Sequence, residues 1–95
     1  LIGYDVEAGK IWLNIVFETT QTVEQTATAT WSYKIEIYDT DGSQLGYVGT
    51  DETPETAAGD VGSTTATVNA KEVSITGTLP SAFQIVVTVV DFSVA

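Results

Sequence analysis

Two aspartates separated by one residue, Asp39 and Asp41, are the side chains of this chain best placed to do chemistry. They lie in a turn-forming run just before Gly42, and carboxylates on a turn are typical calcium ligands. Calcium takes about six to eight oxygen ligands, and this turn supplies two. Further carboxylates that could approach are Asp51, Glu52, Glu55 and Asp60. Asp39 and Asp41 are therefore a candidate calcium site, and the alternative is a plain tight turn bent at Asp-Gly.

Catalytic chemistry has little support in the residue types. General acid–base and nucleophilic catalysis mostly use His, Cys or Lys, and this chain has no His and no Cys. Catalytic triads and imidazole or thiolate metal sites are therefore excluded. A carboxylate pair of the glycosidase kind needs a pocket, whereas most acidic residues here fall in loops or on polar faces. We expect no enzyme, and no cofactor besides the candidate calcium ion.

Aromatic residues offer a second kind of site. Trp31 and Tyr33 fall on an apolar strand face and are predicted core residues. Trp12, Tyr38 and Tyr47 fall on outward positions, where they could stack on sugars or anchor a protein interface. A glycan is therefore one candidate partner of this chain.

The charge balance excludes other partners. Thirteen acidic residues against three basic ones give a net charge of −10, which repels phosphate backbones and anionic lipid headgroups. We expect no nucleic-acid partner. No apolar run is long enough to span a bilayer, so we also expect no membrane insertion.

The sequence pattern predicts β-strands for all the elements that carry these residues. Val, Ile, Thr and aromatic residues dominate in period-2 patterns separated by turn residues, and no helical periodicity occurs. Residues 1–95 are thus predicted to form one all-β domain, a two-sheet antiparallel sandwich of six to seven strands. Residues 1–8 are an edge strand or an exchanged arm, and 50–62 are a solvated acidic loop. Strands are predicted at 11–17, 27–38, 44–49, 64–69, 72–79 and 83–94.

Two of these strands, 11–17 and 83–94, carry apolar residues on both faces. Strict alternation places Phe83, Ile85, Val87 and Val89 on one face of the last strand. A lone sandwich would leave the other face as an exposed apolar patch, which monomers rarely tolerate. The predicted interface residues are Trp12, Val16, Val86, Val90, Phe92 and Val94. We expect a homo-oligomer or polymer, in which a neighbour covers this patch or adds a strand. The alternative is that the domain's own loops cover both strands.

A hairpin pattern resembles a known family. Residues 31–46 place an aromatic strand before a Tyr-Asp-Thr-Asp-Gly turn. This run resembles the FxLYD-type and fibronectin-type hairpins of immunoglobulin-like domains in secreted prokaryotic surface proteins. The resemblance implies an interaction or structural module on a sandwich fold. The Cys–Trp–Cys pattern of antibody domains is absent, so only the general sandwich is implied.

The chain begins with Leu1 rather than Met, which favours a processed, exported protein over a trimmed fragment. The sequence therefore predicts an extracellular or cell-surface structural subunit that self-associates, as in a filament, a pilus-like fibre or a virion. The alternative is an adhesive or glycan-binding module of a larger surface protein.

Overall fold

The computed structural model describes residues 2–95, which form seven strands and no helix. The strands are β1 (Ile2–Glu7), β2 (Lys10–Glu18), β3 (Ala29–Asp39), β4 (Gln44–Val48), β5 (Glu55–Ala58), β6 (Thr65–Ser74) and β7 (Phe83–Val94). Leu1, the first residue of the predicted arm, lies outside the described residues. Across residues 2–95, no helix has the length and apolar content needed to cross a membrane.

The strands form two antiparallel sheets. One sheet has the order β1-β2-β6. In the other, β3 is central: β7 pairs along its whole length on one edge, while β4 and β5 follow one another on the opposite edge. The predicted all-β, two-sheet antiparallel sandwich is confirmed, with seven strands.

The core lies between the inner faces of the two sheets. The alternation along β2 and β3 is strict, so every second residue is buried. Phe17 of β2 packs on Trp31 and Tyr33 of β3, with ring centroids 6.0 Å and 5.0 Å apart. The prediction that Trp31 and Tyr33 are core residues is confirmed, since they are 3% and 1% exposed.

One long side of the sandwich is closed. There β6 packs against both β4 and β5, and the Thr76 N–H donates to the Leu45 carbonyl at 2.8 Å. Gly46 and Gly59 allow this approach: a Cβ atom on Gly46 would lie 2.3 Å from the Ser74 carbonyl oxygen, and one on Gly59 2.5 Å from the Thr65 oxygen. The two sheets are thus joined backbone to backbone along this side.

Three register shifts interrupt the ladders, in β4, β6 and β7. In β4, Leu45 is the extra residue opposite the step from Ile37 to Tyr38. In β6, Asn69 and Ala70 lie opposite the single residue Asn14, and Ala70 adopts a positive φ of 53°. The Asn14 Oδ1 accepts a hydrogen bond from the Ala70 N–H at 3.0 Å. In β7, Val90 is the extra residue opposite the step from Ser32 to Tyr33. Each bulge reverses the face of every residue that follows it in its strand.

Two element predictions were wrong. The segments 64–69 and 72–79, predicted as two strands, are one strand that continues through the Ala70 bulge and ends at Ser74. The acidic loop predicted at 50–62 contains the short strand β5, which pairs with β3 from Thr30 to Tyr33. Ala57 is its buried residue, and a segment this short and acidic gave no strand signal.

The close backbone approach on the closed side is testable by substitution. We expect Gly46→Ala to destabilise the domain by about 2 kcal/mol, because its Cβ collides with a backbone oxygen that side-chain rotation cannot move. Gly3→Ala is the control, since a Cβ there meets no atom within 4 Å. Urea unfolding of the two variants measures the difference, and equal stabilities would contradict a tight closed side.

Candidate interaction surface

The opposite long side of the sandwich is open, and both sheets end there with an unpaired edge. Within residues 2–95, β1 pairs only with β2, and β7 pairs only with β3. An edge-to-face contact between Tyr4 and Phe83, with centroids 5.7 Å apart, bridges the two sheets on this side. We call this side, made of β1 and β7, the open side.

The inner face of β1 is uncovered. Its inward residues pair in register with buried residues of β2, so they point toward the opposite sheet: Ile2 with Ile15, Tyr4 with Leu13, and Val6 with Ile11. Despite this direction, Ile2, Tyr4 and Val6 are 46%, 54% and 48% exposed. The open side therefore presents an apolar row that the domain itself does not bury.

The β7 edge lacks the usual protection against pairing. Exposed edges are commonly guarded by Lys, Pro, inward charges or a short strand. Strand β7 runs for twelve residues without Pro or Lys, and Asp91 is its only charged residue. The seven residues from Phe83 to Val89 carry no charge at all. Val89 points toward the core yet is 48% exposed.

The predicted face of Phe92 and Val94 was wrong. Strict alternation would place them on the face of β7 that does not carry Phe83. The extra residue at Val90 instead brings them to the face that points toward the core. Phe92 pairs in register with Trp31, and the two ring centroids lie 5.0 Å apart. Both residues are half-buried and pack against the core cluster.

The other predicted interface residues lie on two opposite faces of the molecule. Trp12 and Val16 are half-buried on the outer face of the β1-β2-β6 sheet, where Trp12 lies between Asp5 and Glu72. Val86 lies on the outer face of the other sheet, opposite Glu36, and Val90 is the bulge residue; both are half-buried. The structure therefore does not gather the six predicted residues into one patch.

Sequence reasoning missed the apolar row of the open side as a surface. It assigned residues 1–8 to an edge strand or to an exchanged arm that inserts into a neighbour's sheet, and β1 is an edge strand of its own sheet. It did not include Ile2, Tyr4, Val6 or Val89 among the interface residues. The alternation Ile2-x-Tyr4-x-Val6 was the available signal. Whether these side chains are exposed depends on which strand of the other sheet lies opposite β1, and the tertiary fold decides this.

All three lysines form ion pairs within the domain. Lys10 pairs with Glu72 at 2.5 Å, Lys34 with Asp51 at 3.1 Å, and Lys71 with Glu55. The hydrogen bonds to Asp51 and Glu55 raise the pKa of Lys34 and of Lys71 respectively. Burial is the main cause that raises the pKa of Tyr33, beside the Lys71 pair. The lysines are thus engaged with the domain's own carboxylates.

Asp39 and Asp41 are engaged in their own turn. The Asp39 Oδ1 accepts from the Thr40 N–H at 2.6 Å, and the Asp41 Oδ1 accepts from the Ser43 N–H at 2.9 Å. The Ser43 hydrogen bond holds the pKa of Asp41 below its ordinary value. Gly42 has a φ of 88°, as the Asp-Gly turn requires. These contacts fit the plain tight turn.

The remaining acidic residues do not gather around this turn. Asp51 and Glu55, two of the four further candidates, pair with lysines instead. Among residues 2–95, no group of three or more His, Cys, Asp or Glu side chains could hold a metal ion.

The outward aromatic residues lie on two faces of the molecule, with Tyr38 and Tyr47 both beside Glu36 on the outer face of the β3 sheet. Tyr47 borders a shallow depression of about 260 Å³ on the outer face of the β3 sheet, together with Lys34, Glu36 and Asp51. The Tyr38 hydroxyl donates to Glu36 at 2.6 Å. Trp12 lies on the opposite face of the molecule. The depression therefore offers one exposed ring rather than a row of stacking surfaces.

Comparisons with protein-family models, with curated proteins and with solved structures find no match to this chain.

Calcium binding at Asp39 and Asp41 is tested by thermal melting. Because both carboxylates are held in turn hydrogen bonds, we expect about 5 mM calcium to leave the Tm within about 1 °C of that in equal magnesium. A calcium-specific rise in Tm that the Asp39→Asn, Asp41→Asn double variant abolishes would instead establish a calcium site.

Proposed function

We propose that this domain is a non-enzymatic structural subunit that self-associates in an extracellular or surface assembly, such as a filament, a pilus-like fibre or a virion. The open side is the observation that carries the proposal. A second copy that adds its strand to the β7 edge would pair this edge and lie beside the half-exposed apolar row. This is β-strand addition.

The unpaired edge groups and the exposed apolar side chains of the open side support self-association. An unpaired strand edge presents a row of N–H and C=O groups that can template pairing with another chain. On β7 this row is long and lies beside apolar residues on both faces. A partner strand gains main-chain hydrogen bonds and buries apolar area in the same contact.

The strand connectivity also supports the resemblance to immunoglobulin-like domains. In those sandwiches, strands A, B and E share one sheet, and strands C, F and G share the other. Here β1-β2-β6 corresponds to A-B-E, and the β3–β7 pair corresponds to C-F. The position of strand G, beside F, is the free edge of β7. A strand from another copy would take that place.

Electrostatics is compatible with a contact along β7. With a net charge of −10, two copies repel each other. The run from Phe83 to Val89 adds no charged side chain of its own to such a contact. The acidic, base-poor composition also fits a saline or extracellular setting.

An adhesive or glycan-binding module is the less supported function. Sugar recognition by stacking needs aromatic faces that a ligand can reach together, whereas Trp12 and Tyr47 lie on opposite faces of the molecule.

Light scattering coupled to size exclusion tests self-association. We expect the protein to elute as a dimer or a larger species rather than at 10.1 kDa. Val89→Lys places an inward charge on the β7 edge and should weaken association by about tenfold or more, or about 1.4 kcal/mol. Val61→Lys is the matched control, because Val61 is 63% exposed in a turn outside β1 and β7.

Salt provides a second readout of the same contact. Because the copies repel, raising the salt from about 0.1 M to about 1 M should tighten association. A stable monomer at both salt concentrations and at high protein concentration would overturn the proposed function.

A further inference from the structure

We propose that two copies join through β7 in an antiparallel pair, with a two-fold axis that runs normal to the β3–β7 sheet beside Val86. This inference rests on the proposed function and specifies its partner as a second copy in one defined register. The two-fold pair is closed, so it would be the unit from which a larger assembly is built.

The position of both edges on one side allows a single partner to lie against both. Stacked sheets lie about 10 Å apart, so the free edges of β1 and β7 are separated by about that distance. One copy that faces this side can therefore contact both edges. A two-fold contact does this, because it places the same side of each copy against the other.

Charge selects which strands pair. If β7 paired with β1 of the other copy, the outward Asp5 and Glu7 would lie beside the apolar and neutral outer residues of β7. If β7 pairs with β7, an uncharged run meets an uncharged run. The inward rows of the two β1 strands then lie above the new seam, and Asp5 and Glu7 keep their outward, solvated positions.

Geometry selects the register. Residues directly opposite each other on antiparallel strands point to the same face of the sheet. A two-fold axis normal to the sheet also keeps every residue on its own face. The register must therefore place one residue opposite the same residue of the other copy. The bulge at Val90 interrupts regular pairing, which leaves the run from Phe83 to Val89. Val86 is its central residue. The pairs are then Phe83 with Val89, Gln84 with Thr88, Ile85 with Val87, and Val86 with Val86.

The open side is large enough for a specific contact. One long side of a molecule with these dimensions presents roughly 800–1,100 Å², and a standard interface takes about 800 Å² from each partner. The seam joins the two four-stranded sheets into one continuous sheet across the pair.

Cysteine cross-linking tests the register, because the chain contains no cysteine of its own. Opposite residues on antiparallel strands have Cα atoms about 4.5–5.5 Å apart, which lies within disulfide range. We expect Val86→Cys to form a disulfide-linked dimer under mild oxidation. In a second arm that keeps Val86, a mixture of Gln84→Cys and Thr88→Cys should cross-link at least about tenfold faster than either variant alone. Tyr47→Cys, exposed on β4, is the control for random collision.

The outcomes separate this inference from the proposed function. Cross-linking of Val86→Cys and of the mixture, above the Tyr47→Cys rate, supports the two-fold β7 pair. A wild-type protein that is oligomeric by light scattering, with both arms at the control rate, overturns the pair and leaves self-association standing. Cross-linking of an Asp5→Cys and Val86→Cys mixture instead would assign the contact to β7 and β1. A monomeric wild-type protein overturns both proposals.

Discussion

A β-sheet leaves backbone N–H and C=O groups unpaired at its edges, and in this domain the two sheets approach each other backbone to backbone on one long side only. On the closed side, glycines at positions 46 and 59 let β4 and β5 approach β6 backbone to backbone. On the open side, β1 and β7 end without partners among the described residues. The core, the exposed apolar row and the proposed assembly all follow from this asymmetry, because the edges that remain unpaired define where another chain can add.

The bulges in β7 and β6 decide which side chains of these strands point toward the core. Without the extra residue Val90, Phe92 and Val94 would point to the outer face and leave Trp31 with less cover. With it, both residues pack on the core, and the regular part of β7 ends at Val89. The Ala70 bulge has a parallel effect in β6: it turns Lys71 inward, where it meets Glu55 beside Tyr33.

Much of the fold was predictable because β3 and β2 alternate strictly, and alternation directly encodes one buried face. The Asp39–Ser43 turn was predictable because Asp-Gly favours positive φ. The face of the strand on which Phe92 lies was not predictable. A bulge reverses the alternation of the residues after it, and no residue near Val90 indicates that a bulge occurs there. Strand β5 was not predictable either, because four residues with one buried side chain are too few to show an alternation of apolar and polar residues. The exposure of Ile2, Tyr4 and Val6 was not predictable. Alternation predicts the face to which a side chain points, but not whether the other sheet covers that face.

The neutrality of the Phe83–Val89 run has a kinetic consequence. Two strongly acidic copies slow each other's diffusional approach, so encounters should be rarer than for neutral proteins. Once a pair has formed, the contact itself holds no charged group in its central run, and its lifetime depends on main-chain hydrogen bonds and apolar packing. Ionic strength would then act mainly on the rate of encounter and leave the residence time nearly constant. The proposed pair would therefore form faster at higher ionic strength without any change in the subunit.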